Sequence, residues 1–194
     1  MPVAPDLWPL DRPLTVDDLD VLQDDGLRYE LWDGVLLVSP PPGLWHQELS
    51  HRVRAMVSRQ LPSDWLARME VGVGFGSRSR HLQPDGIVLR AAVLSPDLEY
   101  VSVEDIALVL EVESPSTGLY DRNTKRDWYA AVGIPIYVRV EINKMHVATV
   151  VVQELRDGRY VETGRTDAGT GSVTIRQPGP IVIDAAELMT IQEP

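Results

Sequence analysis

Lys125 is one of only two lysines among 18 basic residues, the other being Lys144. Its neighbours make it the residue best placed for chemistry. On a helix from Asp121 to Val132 with Asp121 at zero, Lys125 falls at about 40°, between Trp128 at about −20° and Tyr129 at about 80°, with Val132 at about 20°. A lysine inside an apolar stripe points inward, and a buried ammonium needs an anionic partner or it neutralises. The upstream segment AlaLeuValLeuGluValGlu, 107–113, offers Glu111 and Glu113 at its end. Being two apart on a strand, they share a face. Asp85 opens another strand directly after Pro84. Acids at the ends of buried strands are costly unless paired or metal-bound. Two carboxylates, a backbone carbonyl and water suit Mg²⁺ or Mn²⁺. Such an ion polarises a phosphate and lowers the pKa of an attacking water, and a lysine beside it orients that water or stabilises the developing charge. These are the parts of metal-assisted phosphodiester cleavage. A structural ion pair, or a lysine snorkelling to solvent, would give the same spacing.

The elements that must position these residues read as alternating strands and helices. ArgTyrGluLeuTrp, 28–32, then AspGly, 33–34, then ValLeuLeuVal, 35–38, predicts a hairpin with a type I′ turn. SerProProProGly, 39–43, breaks the chain. A helix then runs from about Leu44 to Leu61 on the spacing of Trp45, Leu49, Val53, Met56, Val57 and Leu61. Trp65 to Phe75 reads as one strand, with Gly72, Gly74 and Gly76 giving close backbone packing, and Pro84 to Arg90 as another. Residues 91–106 read as a polar connection. Ala107 to Glu113 is the near-continuous apolar run of a central strand. SerProSerThrGly, 114–118, ends it, the Lys125 helix follows, and Gly133 stops that helix. Residues 134–140 return as a strand, so strand–helix–strand predicts a right-handed crossover. Met145 to Leu155, a turn at AspGly 157–158, and Arg159 to Thr163 predict a second hairpin. Short strands fall in 173–183, Asp184 caps a terminal turn, and Thr15 caps a short helix running to about Asp24. The proline-rich residues 1–14 read as an irregular lead-in. The fold class is α/β, a central mixed sheet flanked by helices with added hairpins, in one domain.

Composition bounds the function. The net charge of −11, from 18 basic and 29 acidic residues, counts against broad non-specific nucleic-acid binding. It leaves room for local basic patches: Arg52, Arg54 and Arg59 on one helix, Arg78 and Arg80 on one loop, and Arg122 and Arg126 flanking Lys125. His46 and His51, five apart on a helix, make a poor metal pair. No apolar run approaches a membrane span and no signal segment is visible. The absence of cysteine excludes disulfides and fits a cytoplasmic location. Glu111 and Glu113, about 7 Å apart on a strand, would also tolerate a glycoside-hydrolase role, without need of Lys125 or Asp85.

Several stretches carry a resemblance. These are TyrGluLeuTrpAspGly at 29–34, SerProProPro at 39–42 with His46, GlnProAspGlyIleVal at 83–88, LeuGluValGluSerProSerThr at 110–117, AspArgAsnThrLysArgAspTrpTyrAlaAlaValGlyIlePro at 121–135 and TyrValArgVal at 137–140. In this order the chain resembles the PD-(D/E)xK nuclease superfamily, and within it the Uma branch of restriction-endonuclease-like proteins. The resemblance implies a nuclease core over about 28–142, a C-terminal β extension over about 145–194, and a Mg²⁺- or Mn²⁺-dependent endonuclease acting on nucleic acid, with DNA expected. It implies Asp85 and Glu111 as metal ligands with the Val112 carbonyl as a third, and Glu30 as the acid at the start of the core. The superfamily's lysine stands two residues after the second acid, where this chain has Glu113; the resemblance moves that role to Lys125. Glu113 is left to pair with Lys125, bind a second metal or face solvent. Ser114, Ser116 and Asp121 would add hydrogen bonds, and Arg122, Arg126 and His46 would contact substrate. The charge and Glu113 also allow a degenerate nuclease fold used for binding or assembly. A homodimer through the 145–163 hairpin is a further expectation.

Overall fold

The computed structural model describes residues 12–22, 26–74, 77–95, 98, 101–113 and 121–190. The chain order begins with helix α1 (Val16–Asp20), strands β1 (Arg28–Trp32) and β2 (Val35–Ser39), and helix α2 (Leu44–Ser58). Strands β3 (Trp65–Met69), β4 (Val73–Gly74), β5 (His81–Leu82), β6 (Gly86–Arg90), β7 (Val101–Ser102) and β8 (Ile106–Glu113) follow. A π-helical turn (Asp121–Lys125) runs into helix α3 (Arg126–Ala131). The chain then forms β9 (Ile136–Ile142), β10 (Ala148–Arg156), β11 (Arg159–Arg165), β12 (Ser172–Ile175), β13 (Ile181–Asp184) and helix α4 (Ala185–Met189).

Six strands build the main sheet in the order β11-β10-β9-β8-β6-β3. β8 and β9 are parallel and the other pairs antiparallel, so the sheet is mixed, as the α/β expectation has it. All eight residues of β8 are buried, as its continuous apolar run requires of a strand covered on both faces. One face packs Val88, Leu108, Leu110, Val138 and Val152 against α2, β12–β13 and α4. The other packs Ile87, Leu89, Val109 and Tyr137 against Tyr129 of α3 and against a second, five-stranded sheet ordered β2-β1-β5-β4-β7. Both hairpins turn on Asp-Gly with positive φ at both residues: 51° and 78° at Asp33 and Gly34, 49° and 75° at Asp157 and Gly158. That is the type I′ geometry that the residue pair favours.

Several boundaries depart from the expectations. The strand read over 65–75 breaks after Met69, because Glu70 takes a positive φ of 52° and turns the chain into a separate sheet; Phe75 itself lies outside the described residues. β6 begins at Gly86, so Asp85 precedes it. The 91–106 connection contains β7 and two 3-10 turns. β9 starts two residues later than read and runs to Ile142, α2 stops at Ser58, and α1 stops at Asp20. The Lys125 helix is α-helical only from Arg126; residues 121–125 are wound as π-helix, so the α-wheel angles do not apply to them. The break at 114–118 and most of the 1–14 lead-in lie outside the described residues. Among the described residues no helix is long and apolar enough to cross a membrane.

Candidate active site

The C-terminal end of β8, the residues before β6, the middle of β1 and the start of α3 meet at one buried cluster. Glu30, Asp85 and Glu111 are 2–3% exposed and Lys125 is 5% exposed. The Lys125 ammonium stands 3.2 Å from Glu111 Oε1 and 3.2 Å from Glu30 Oε1. Tyr129, one helical turn after Lys125, donates its hydroxyl to Glu111 Oε1 at 2.7 Å. The Gln83 amide donates to Glu30 Oε1 at 2.8 Å. Each carboxylate is therefore fixed by a cation and a neutral donor, which makes burial of the charge tolerable.

Asp85 is held by a different set of groups. Arg28 of β1 donates to Oδ1 at 2.8 Å, and the Val112 amide donates to Oδ2 at 2.8 Å. His46 Nε2 lies 3.0 Å from Oδ2. Burial pushes the Asp85 carboxyl up, but His46, Arg28 and the Val112 N–H together outweigh it and hold Asp85 below the usual carboxylate range. Burial likewise opposes the charge on Arg28, which Asp85, Glu111 and Glu30 more than restore. Burial drives the Tyr129 hydroxyl well above its ordinary value, with Glu111 and Glu30 adding to it, so Tyr129 is a fixed donor.

The structure gathers four of the residues singled out from sequence and adds partners that sequence spacing does not show. Asp85, Glu111, Glu30 and Lys125 do gather, with Lys125 on the two glutamates and Arg28 and His46 on Asp85. His46, read as a substrate contact, has its Nε2 on Asp85. Glu113 is 1% exposed and pairs with Arg139 at 3.0 Å, so of the three roles left open for it, pairing with Lys125 and facing solvent are corrected. Arg139 also reaches Glu141 at 3.1 Å, and Arg165 continues the chain to Glu141 and Glu162. A Glu113 locked in this ladder is poorly placed as one acid of a glycosidase pair. Arg126 is spent on its neighbour Asp127. Ser114 and Ser116 lie outside the described residues, as do the side chains of Asp121 and Arg122. Arg28, Tyr129 and Arg139 were not singled out. Tyr129 had a signal, since it is four residues after Lys125 and so on the same helix face.

Two supports hold the cluster's geometry. Trp32 of β1 stacks on Trp128 of α3 at 4.7 Å and 10°, with Arg80 over the Trp32 ring at 4.6 Å. The stack ties Glu30, two residues before Trp32, to Lys125, three before Trp128. His81 of β5, buried beside β1, sits where Gly72 leaves room; a Cβ at Gly72 would clash with the imidazole Cε1. Burial lowers the His81 pKa below its ordinary 6.5, with Glu30 and Asp20 pulling the other way. A lowered folded value means that the unfolded chain takes up the proton first. The stability contributed by neutral His81 is then complete above pH 6.5 and is lost as the pH falls from there through the folded value. Melting temperatures from pH 8 to 5 should fall more steeply for wild type than for His81→Gln; equal slopes would show that the imidazole is not held neutral.

The donors suit a hard divalent cation. Asp85, Glu111 and the Val112 carbonyl are all oxygens, and the N–H and C=O of one extended residue point to the same side, here toward Asp85. Among the described residues no three His, Cys, Asp or Glu side chains form a cage for a metal. Mg²⁺ is usually held by one or two carboxylates, with water and substrate phosphate completing its shell. A cation reaching Asp85 competes with Arg28 and His46 for its oxygens.

The fold has a solved counterpart. The crystal structure of "a putative nuclease belonging to DUF820 from Anabaena variabilis ATCC 29413" matches with a TM-score of 0.68 at 16% identity, over 91% of this chain and 97% of that one. At that identity the likeness shows the shared fold. No curated protein matches the chain. The family model Uma2, described as "Putative restriction endonuclease", matches residues 16–176, a stretch that contains Glu30, Asp85, Glu111 and Lys125, and the chain belongs to that family.

Proposed function

We propose that this protein is a Mg²⁺- or Mn²⁺-dependent endonuclease that hydrolyses phosphodiester bonds, with DNA as its substrate. The observation that carries the reading is the Lys125 ammonium bridging Glu30 and Glu111 at 3.2 Å each, at the strand end where Asp85 also lies. Family membership and the nuclease-like fold support it. Asp85, Glu111 and the Val112 carbonyl would hold the cation. When bound, the cation supplies polarisation of the phosphate and a lowered pKa for an attacking water. Lys125 orients that water and stabilises charge developing on the phosphate oxygens. Glu30 holds the ammonium in place, and the Tyr129 hydroxyl fixes the rotamer of Glu111.

A second reading, a degenerate nuclease fold used for binding, is favoured by the hold of Arg28 and His46 on Asp85 and by the net charge of −11. Calorimetric titration with Mn²⁺ at neutral pH separates the two. The expected result is binding by wild type and none by Asp85→Asn, which keeps the side-chain shape. No binding by wild type, with or without an oligonucleotide carrying non-hydrolysable linkages, would establish the degenerate reading.

A further inference from the structure

We infer that the flank formed by α2 and β3 is a phosphate-binding track that leads a nucleic-acid backbone to Asp85. This inference rests on the nuclease reading and specifies where the substrate lies. Of the three helix arginines, Arg52 is taken by Glu48 and the Leu188 carbonyl, and Arg59 by Glu187. Arg54 makes no ion pair among the described residues, and Arg68 of β3 only turns back onto the neighbouring Ala67 carbonyl at 3.0 Å. Both are half-buried, and both line one slot of about 20 Å³ between α2 and the sheet. The slot also touches Gly86, the residue after Asp85.

The slot is lined mostly by apolar side chains, but two polar groups of α2 beside it have no hydrogen-bond partner among the described residues. Ser50 is 3% exposed and lines the slot with its hydroxyl unbonded; His46 Nδ1, one turn earlier on α2, is also buried and unbonded. A buried polar atom left unpaired forgoes the hydrogen bonds it makes in water, so two in one row call for an occupant. His46, Ser50 and Arg54 follow at intervals of four and span about 12 Å of helix. The slot itself is large enough for about one water, so the phosphate stays at its mouth, on the two guanidiniums. Glu70, paired with Arg28, is the carboxylate at the β3 end of the flank. A phosphodiester is the anion this arrangement suits: guanidiniums are forked donors to phosphate oxygens, and the row ends at the Asp85 side chain through His46.

The test is fluorescence anisotropy of a labelled mixed-sequence DNA duplex, with Ca²⁺ in place of Mg²⁺, over a salt series. Arg54→Gln and Arg68→Gln keep much of the stem that lines the slot. Each should weaken binding several-fold at low salt and lower the slope of log K against log salt by about 1. Arg159→Gln on β11 and Arg176→Gln just after β12, both exposed and making no ion pair among the described residues, serve as controls and should bind as wild type does. Melting temperatures confirm that each variant is folded. Wild-type affinity and slope in folded Arg54 and Arg68 variants, with wild type itself binding, would overturn the track and leave the nuclease reading standing. No binding of DNA or RNA by wild type would overturn both.

Discussion

Replacing Lys125 by methionine will destabilise the protein by about 3–5 kcal/mol, because it leaves two buried carboxylates facing each other without their shared cation. On Oε1, Glu30 would keep the Gln83 amide and Glu111 the Tyr129 hydroxyl, both neutral donors. For a chain of this size the loss corresponds to a fall in melting temperature on the order of 10 °C. Adding Glu30→Gln to Lys125→Met should recover a large part of it, since the second change removes one of the stranded charges. The coupling in this double-mutant cycle measures the Lys125–Glu30 interaction itself. Additive losses would mean that the ammonium is solvated and that the cluster is not the closed unit described here. The same variant should lose nuclease activity, and Lys125→Arg should not restore it. A planar guanidinium cannot replace a compact ammonium between two carboxylates 3.2 Å away on either side.

Lys125 also shows what could be read from sequence. Its inward orientation was legible from flanking Trp128 and Tyr129, and the observed placement agrees even though residues 121–125 are π-wound and the wheel used to derive it does not hold there. The apolar stripe of α3 sets the direction, and one widened turn does not reverse it. The buried run of β8 and the Asp-Gly turns were legible for local reasons: burial on both faces selects continuous apolar residues, and positive φ at two successive positions selects Asp-Gly. Partner choice was not. Arg28 and Asp85 are 57 residues apart, and Arg139 and Glu113 are 26 apart. Periodicity assigns a residue to a face, but which charge it meets there depends on strand order. The parallel pairing of β8 with β9 sets Arg139 opposite Glu111 and leaves its side chain to reach diagonally to Glu113. His46 shows the same limit: its spacing on α2 does not reveal Asp85, which reaches it from another element.

The second large effect falls on Glu113 at the end of β8. Arg139→Met should cost about 3–5 kcal/mol, because Glu113 is 1% exposed and would lose the cation on its Oε1. Glu113→Lys should cost at least as much, since it would press an ammonium against the Arg139 guanidinium. Glu113→Met with Arg139→Met removes both charges and should return to within about 1–2 kcal/mol of wild type, as replacement of buried pairs by apolar residues often does. Glu141 keeps Arg165 in that background. The double variant also decides the function of the ladder. If Glu113 and Arg139 serve the fold alone, the double variant keeps wild-type Mn²⁺ affinity by calorimetry once it is folded. A loss of Mn²⁺ binding in a folded double variant would instead place Glu113 among the metal ligands, with Arg139 as the cation that keeps it ionised until the metal arrives.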